Sequence, residues 1–387
     1  MNQALVNLAV IGDANSPVTW SGIPYHFLQA AQAFQLIDRG LPLSTAGTIW
    51  KQRRLFWNAW RVMTRQGRGG YQYSVSFLEK LWKPWLAQLL DQTIINCFQL
   101  YPPSLVQYPR YHKYYYIDMT LLQLFDEYGD RERIGPAIAR DALAREKEGY
   151  QAAEKVVCHS RWAAESVIND YGVAPDKVHA IIPGANLNRK TLLHWQENFP
   201  GRTRQPGEPL KLIFIGKYWD RKGLDRLLEA LLLVQQHSSS IELKVLGCEK
   251  QSLPAHLQNV PNVEWLGFID KRKELPRFLQ LLAEADVGCL LSRAEAGGMV
   301  LREYHAAGLI VMGPRVGGAP EHLFSEAGQA FPPSATPLEV ADWLLRLMHD
   351  QDYYHVLRNA AWACRHLATW DETVRQWRTI MPARYIP

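Results

Sequence analysis

The sequence predicts an α/β protein made of two doubly wound domains that face each other across a cleft. Three observations lead there. The chain has 387 residues, more than a single core ordinarily serves. Short apolar runs of β type alternate with helical patterns along nearly its whole length, as in a parallel sheet with helices on both faces. A stretch rich in proline, glycine and charge, from Pro183 to Pro209, interrupts that alternation once and reads as a linker or long connecting loop.

The elements follow in order. LVNLAVIG (5–12) reads as a buried strand and IPYHFLQAAQAF (23–34) as the helix after it. TIINCF (93–98), KYYYI (113–117), KVVCHS (155–160) and KVHAIIP (177–183) are the further strands of the first series. Beyond the break, KLIFIG (211–216), IELKVLG (241–247), NVEWLG (262–267), DVGCLL (286–291) and LIVMG (309–313) form the second series, with an amphipathic helix at 223–237. This gives domains at 1–190 and 191–369, and a closing helix at 370–387 that returns to the first domain. Ligands of such sheets bind beyond the carboxyl ends of the strands, so the expected site is the cleft.

Composition narrows the function classes. With 47% hydrophobic and 21% charged residues the balance is that of a soluble globular chain. No run reaches the roughly 18–20 apolar residues of a spanning helix, and the N-terminus reads as a strand, not a signal peptide. The cysteines Cys97, Cys158, Cys248, Cys289 and Cys364 lie far apart and form no C-x-x-C pair, which argues for a reducing, cytoplasmic setting without a disulfide framework or a zinc site. The net charge of +5 is unevenly spread. Between Trp50 and Lys83, eight basic residues (Lys51, Arg53, Arg54, Arg61, Arg65, Arg68, Lys80, Lys83) face only Glu79, interleaved with Trp50, Trp57, Trp60 and Trp82 and followed by Trp85. Such a stretch suits an anionic membrane surface or anionic acceptor, or else a solvated helix with its tryptophans packed inward. It contains no nucleic-acid-binding module.

The second half carries the chemistry. In FIGKYWDRKGLDRLL (214–228) a strand ends at Gly216 and a helix begins near Gly223, with Lys217 and Lys222 across the turn. Free N–H groups at the helix start and two ammonium groups suit a diphosphate, although two lysines at such a turn can also be merely solvated. In DVGCLLSRAEAGGMVLREYHAAGLIVMG (286–313) a strand leads into a glycine loop and a helix from about Met299. Glu295 and Glu303 are separated by seven residues, and on that spacing alone they read as surface residues with helix-dipole roles.

Together these segments resemble the nucleotide-sugar-binding domain of the family-4 retaining glycosyltransferases, which have the GT-B fold of two Rossmann-like domains. FIGKYWDRKGLDRLLEAL is similar to their G-R-x-x-x-x-K-G segment, and SRAEAGGMVLREYHAAGLIVMGPRVGGAPEHL to their E-x7-E segment. ATWDETVRQW (368–377) and VVCHSRWAAESVINDYGVAPDKVHAIIPGAN (156–186) resemble the segments before the closing helix and before the interdomain linker. The likeness covers about 150–387 well and 1–149 loosely. It implies that Lys217 and Lys222 face the donor diphosphate, Glu295 the transferred sugar, and Glu303 the nucleotide ribose, with Gly297, Gly298, Met299 and Val300 offering backbone amides. Lysine replaces the usual arginine at 217, keeping charge without the planar fork. The loop reads E-A-G-G-M instead of E-G-F-G-L.

In the first half, the loop DANSPVTWSGIP after Gly12 stands where the family closes a glycine-containing loop over the donor, so Ser21 and Gly22 are donor-binding candidates; the S-G pair can equally be a helix N-cap. Asp118, after YYYI, stands where the family often has a histidine. It is a candidate for orienting the acceptor hydroxyl or sugar, or a helix N-cap, with His112 and His159 as nearby alternatives. The implied reaction is retaining transfer of a sugar from a nucleoside diphosphate sugar, in UDP or GDP form, to a free hydroxyl of a lipid, a lipid-linked saccharide or a small metabolite, with no metal and no further cofactor. A nucleotide-sugar epimerase, or a non-catalytic sugar-nucleotide-binding protein, on the same scaffold are the rivals.

Overall fold

The structure is a computed structural model that describes residues 4–97, 100–198, 201–205 and 207–381. The chain divides into two compact units, Met1–Ile182 with Val374–Pro387, and Pro183–Thr373.

The first unit holds six parallel strands: β1 (Val6–Ile11), β2 (Arg39–Leu43), β3 (Thr93–Asn96), β4 (His112–Ile117), β5 (Lys155–Cys158) and β6 (Val178–Ala180), in the order β2-β1-β3-β4-β5-β6. Its central strands are apolar on both faces because helices cover both: Leu8, Ala9, Ile94, Ile95, Tyr115, Tyr116 and Val157 are fully buried. The expected strand over 93–98 ends at Asn96, and Phe98 lies outside the described residues. Within this unit Trp377, from the helix Trp370–Ile380, is fully buried against Phe27 and Tyr116, at 5.4 and 5.2 Å between ring centroids. Residues 382–387 of the expected closing helix lie outside the described residues.

The second unit holds β7 (Leu210–Ile215), β8 (Ile241–Leu246), β9 (Val263–Gly267), β10 (Val287–Cys289), β11 (Ile310–Pro314) and β12 (Gly328–Phe331), all parallel, in the order β12-β11-β10-β7-β8-β9. Read from β9, this is the 3-2-1-4-5-6 order of the dinucleotide-binding fold, whose direction of winding reverses between β7 and β10. The helix Leu224–Gln235 buries Leu224, Leu227, Leu228, Leu231 and Val234 and packs on the helix Pro337–His349, whose Thr336 and Glu339 form a capping box.

Two expectations need correction. The 183–209 stretch is not wholly a loop: Arg189–Asn198 is a helix, with Leu192 and Gln196 buried and the Gln196 side-chain amide donating to the Ala306 carbonyl at 2.8 Å. Pro200 and Pro206 lie outside the described residues. The sequence reading also omits β2 and β12, the edges of the two sheets. Among the described residues no helix is long and apolar enough to cross a membrane.

Candidate functional site

In the second unit the candidate residues gather where the winding reverses. The β7–β10 ladder ends at Phe214 and Cys289. Just past it the Ile215 N–H donates to the Tyr304 hydroxyl at 2.9 Å, and that hydroxyl lies 3.3 Å from the Cys289 carbonyl. The ring fits only because residue 288 is glycine: a Cβ there would stand 2.2 Å from it. Tyr304 thus pins the two strands at the point where a ligand crevice opens.

The turn after β7 is then stitched to the segment after β10. The Leu291 N–H donates to the Lys222 carbonyl at 3.2 Å and the Arg293 N–H to the Arg221 carbonyl at 2.8 Å. Gly223, with φ +72°, lies so close that a Cβ would be 2.1 Å from the Leu291 carbonyl oxygen. This stitching sets the Lys222 ammonium directly on the Glu295 carboxylate, with side chains 15% and 11% exposed. The same carboxylate oxygen accepts from the Ser292 hydroxyl at 3.1 Å and lies 3.7 Å from the Arg221 guanidinium. Lys217 has different surroundings: it is exposed, 5.0 Å from the centre of the Phe268 ring.

Gly297 and Gly298 leave room for neighbouring side chains. A Cβ at Gly297 would fall 2.8 Å from the His322 imidazole, and one at Gly317 2.1 Å from the Glu295 carbonyl oxygen. Gly298 (φ +73°) is the N-cap of the helix Met299–Ala306 and supplies no side chain to it, so the positive end of that helix begins at Met299 and Val300. Glu303 follows on the second turn. Its side chain is 5% exposed and contacts the Lys271 ammonium, which also lies 3.4 Å from the Asn186 carbonyl.

Lys271 is the residue that sequence reasoning missed. It sits in D-K-R-K (270–273), a charged run that looks like surface; its position beyond the carboxyl end of β9, on the edge where ligands bind, is the signal that could have found it. Arg221, Ser292 and His322 were missed for the same reason. They act through contacts that no local pattern encodes.

The first unit has its own cluster at the carboxyl edge. Trp20, Ser21 and Gly22 have φ of +42°, +57° and +86°, three successive left-handed residues, two of them not glycine. That turn is held in place: the Asp13 N–H donates to the Thr19 hydroxyl at 3.3 Å, and the Trp20 ring stacks on His159 at 5.8 Å, which meets Tyr116 edge-on at 4.3 Å. Burial pushes the His159 imidazole down to about 3. Ser21 is exposed and does not cap the following helix, Ile23–Ala33, whose N-cap is Gly22. Asp118 is half-buried one residue past β4 and is not a cap either: Thr120, with Gln123, caps the helix Leu121–Tyr128. His112 lies at the opposite end of β4, paired with Glu154 at 2.5 Å.

The basic stretch divides by face. Trp50 and Trp57 pack inward on Phe77 and Tyr71, at 5.2 and 5.6 Å, and Trp82 is fully buried. Arg61 belongs with them: it is buried, with its guanidinium donating to the carbonyls of Gln66, Gly69 and Ile134, so it adds nothing to a surface patch. On the other side of the helix Thr48–Met63, Ile49, Phe56, Trp60 and Met63 are exposed at helical spacing, flanked by Leu55 and Val62. Among the described residues no group of three or more His, Cys, Asp or Glu side chains could hold a metal ion.

Comparison with known proteins agrees with this geometry. Residues 196–362 match the family model of the glycosyl transferases group 1. The D-inositol 3-phosphate glycosyltransferase of Thermomonospora curvata is 28% identical over 246 residues, 59% of this chain and 57% of that protein. The enzyme of the same name from Streptosporangium roseum is 28% identical over 244 residues, 59% and 54%. The chain thus spans little more than half the length of these relatives. Among solved structures, Anabaena HepE in complex with UDP superposes with a TM-score of 0.64 at 17% identity, covering 97% of this chain and 98% of that one. The lipopolysaccharide outer core galactosyltransferase WaaB gives 0.65 at 11%, with the same coverage. At those identities the structures attest the fold alone. The two six-stranded parallel sheets thus have the GT-B fold, and it is the second unit, over residues 196–362, that carries the likeness to the glycosyl transferases group 1.

Proposed function

We propose that this chain is a retaining glycosyltransferase that moves a sugar from a nucleoside diphosphate sugar to an acceptor hydroxyl, and that its donor site is the crevice edge of the second unit. One observation carries the reading. Two carboxylates, each held by its own lysine (Glu295 by Lys222, Glu303 by Lys271), flank an N-terminus of a helix that no side chain caps, at the reversal point of the sheet. Glu303, fixed by Lys271, is suited to accept from ribose hydroxyls. The amides of Met299 and Val300, with Lys222, suit the diphosphate. Donor binding then exchanges partners: the diphosphate takes the Lys222 ammonium and frees Glu295 for sugar hydroxyls.

In the reaction the glycosidic bond to phosphate breaks through an oxocarbenium-like state and negative charge grows on the departing diphosphate. Lys222, Lys217 and the helix-start amides stabilise that charge, so the proposal needs no metal. Such donors are worth roughly 3–4 kcal/mol each where one is removed from a preorganised site. UDP is the first donor base to test, because Anabaena HepE has been solved with UDP-glucose. Peripheral attachment to an anionic membrane surface, on the cytoplasmic side, belongs to the same proposal, and the exposed stripe of the helix Thr48–Met63 supports it.

The test is a transfer assay with UDP-sugars and a pool of hydroxyl acceptors, read as UDP release and as glycosylated product. Lys222→Ala and Glu303→Ala should each lower the rate at least about a hundredfold. Parental rates in both variants would sink the assignment, and donor consumption without any glycosylated product would turn it toward epimerisation.

A further inference from the structure

The geometry points to a second anion site, a pocket in the first unit that binds an acceptor through a phosphate or carboxylate group attached to an apolar body. This rests on the transferase reading above, because it names the class of acceptor.

The pocket has a volume of about 380 Å³ and lies at the carboxyl ends of β1 and β2, bounded by Ile11 and Thr45 and roofed by the first two turns of the helix Thr48–Met63. Its walls are of two kinds. Trp50, Tyr71 and Phe77 give it aromatic faces, while Lys51 and Arg54 give it two cations, and no carboxylate lines it. Among the described residues neither Lys51 nor Arg54 makes an ion pair. Glu79, the acidic residue of the same basic stretch, has both its oxygens taken by Ser104, from the N–H at 2.9 Å and the hydroxyl at 2.7 Å. A third cation, Lys80, stands 5.8 Å from the centre of the Trp50 ring.

The helix adds its own field. It is 16 residues long, its N-cap is Gly47, no side chain accepts from its first N–H groups, and no acidic residue stands in its first turn. The residues of that turn are therefore left with the free N–H groups and the positive pole of the dipole, beside Lys51 and Arg54. Arg53 completes the arrangement from outside by donating to the Tyr71 hydroxyl at 3.0 Å, which turns the hydroxyl's own proton free to donate. Two unopposed cations, a helix pole and a hydroxyl donor on an aromatic pocket suit an anion on an apolar stem. A neutral sugar would leave those donors unpaired. Ile11 also directly precedes Gly12, where the 12–22 loop begins, so an anion held here lies at the start of that loop.

Hexyl phosphate is a suitable probe, with hexanol and inorganic phosphate as its two halves, measured by titration calorimetry on the full chain. The wild-type protein should bind hexyl phosphate at least about tenfold more tightly than either half. The variant Lys51→Gln/Arg54→Gln should lose that preference while keeping its melting temperature and its affinity for UDP. Both side chains are exposed, so the fold survives their loss. Equal binding of hexanol and hexyl phosphate, or undiminished binding in the double variant, would overturn the site. Vesicles of equal parts phosphatidylglycerol and phosphatidylcholine identify the source: displacement of hexyl phosphate by them assigns a lipid headgroup, and no displacement assigns a soluble anion. Wild-type protein that binds hexyl phosphate but no nucleotide would refute the donor reading and leave the anion site standing, so the two failures are separable.

Discussion

Replacing Lys271 by methionine removes the cation from a carboxylate that the fold has already taken out of water. The Glu303 side chain is 5% exposed and that of Lys271 34%. Breaking a buried pair by deleting one partner costs about 3–5 kcal/mol, because the remaining charge stays desolvated. Here the ammonium is a third exposed, so water would partly take its place, and the expected loss is about 2–3 kcal/mol. Lys271→Met/Glu303→Gln removes the charge along with its partner and should recover to within about 1 kcal/mol of the parent. Urea unfolding followed by tryptophan fluorescence supplies the stabilities, with UDP titration run in parallel. If Glu303 is the ribose-binding group, Lys271→Met also weakens UDP by letting the carboxylate turn, and the double variant restores stability without restoring UDP affinity. A Lys271→Met protein as stable as the parent would refute the burial argument. Recovery of UDP affinity in the double variant would refute the ribose role.

Gly223→Ala forces a side chain onto a residue with φ +72° and against the Leu291 carbonyl, so it should cost at least about 2–3 kcal/mol in unfolding free energy, where Gly207→Ala, with open space around it, should cost only about 1 kcal/mol. For His159, burial lowers the imidazole from 6.5 to about 3, so the fold holds the neutral ring. Its contribution is therefore complete above pH 6.5 and is lost as pH falls toward 3. Over the two units from pH 6.5 to 4.5 this is about 2–3 kcal/mol, and His159→Gln should lack that part of the acid destabilisation in parallel unfolding curves. Phe56→Ser/Trp60→Ser should reduce pelleting with phosphatidylglycerol vesicles by at least about tenfold and leave UDP affinity unchanged; undiminished pelleting would remove the outer stripe from the membrane proposal.

Most strands were legible because a strand buried on both faces is written as a continuous apolar run, as in KLIFI and HKYYYI. The two that were not are edge strands. β2 reads RGLPL, with a proline that only an edge tolerates, and β12 reads GQAF, four residues opening on a glycine; neither has an apolar run to detect. The helix 189–198 was hidden for a different reason: its mean hydropathy is low and it buries little more than Leu192 and Gln196, so the surrounding prolines dominated the reading. Arg61 shows the opposite failure, a charge that looks solvated in sequence yet is consumed by three backbone carbonyls.

The candidate site sorts the same way, and this bears on where the chemistry resides. Glu295, Glu303 and Lys222 became candidates through the resemblance of their segments, since on spacing alone the two glutamates read as surface residues. What each group is paired with was not readable, because Lys271 reaches Glu303 across 32 positions and Lys222 reaches Glu295 across 73. Those pairings turn two carboxylates that would read as surface residues into two neutralised, nearly dry groups with different cations. A dry carboxylate can hydrogen-bond a sugar or ribose hydroxyl without competing water, and a cation beside it can be given up to a phosphate. Lys222 is confined by the Gly223 turn and Lys271 by the Asn186 carbonyl, so the two ammonium groups stand in unlike settings: one stitched to the backbone that follows β10, the other a third exposed. The first is the better placed to stabilise a charge that grows during reaction, and the second to keep Glu303 fixed while it does. Lys222→Ala should therefore lower kcat, whereas Lys271→Met should chiefly raise KM for the donor; the reverse assignment of the two effects in steady-state kinetics would show that the cations have been given the wrong roles.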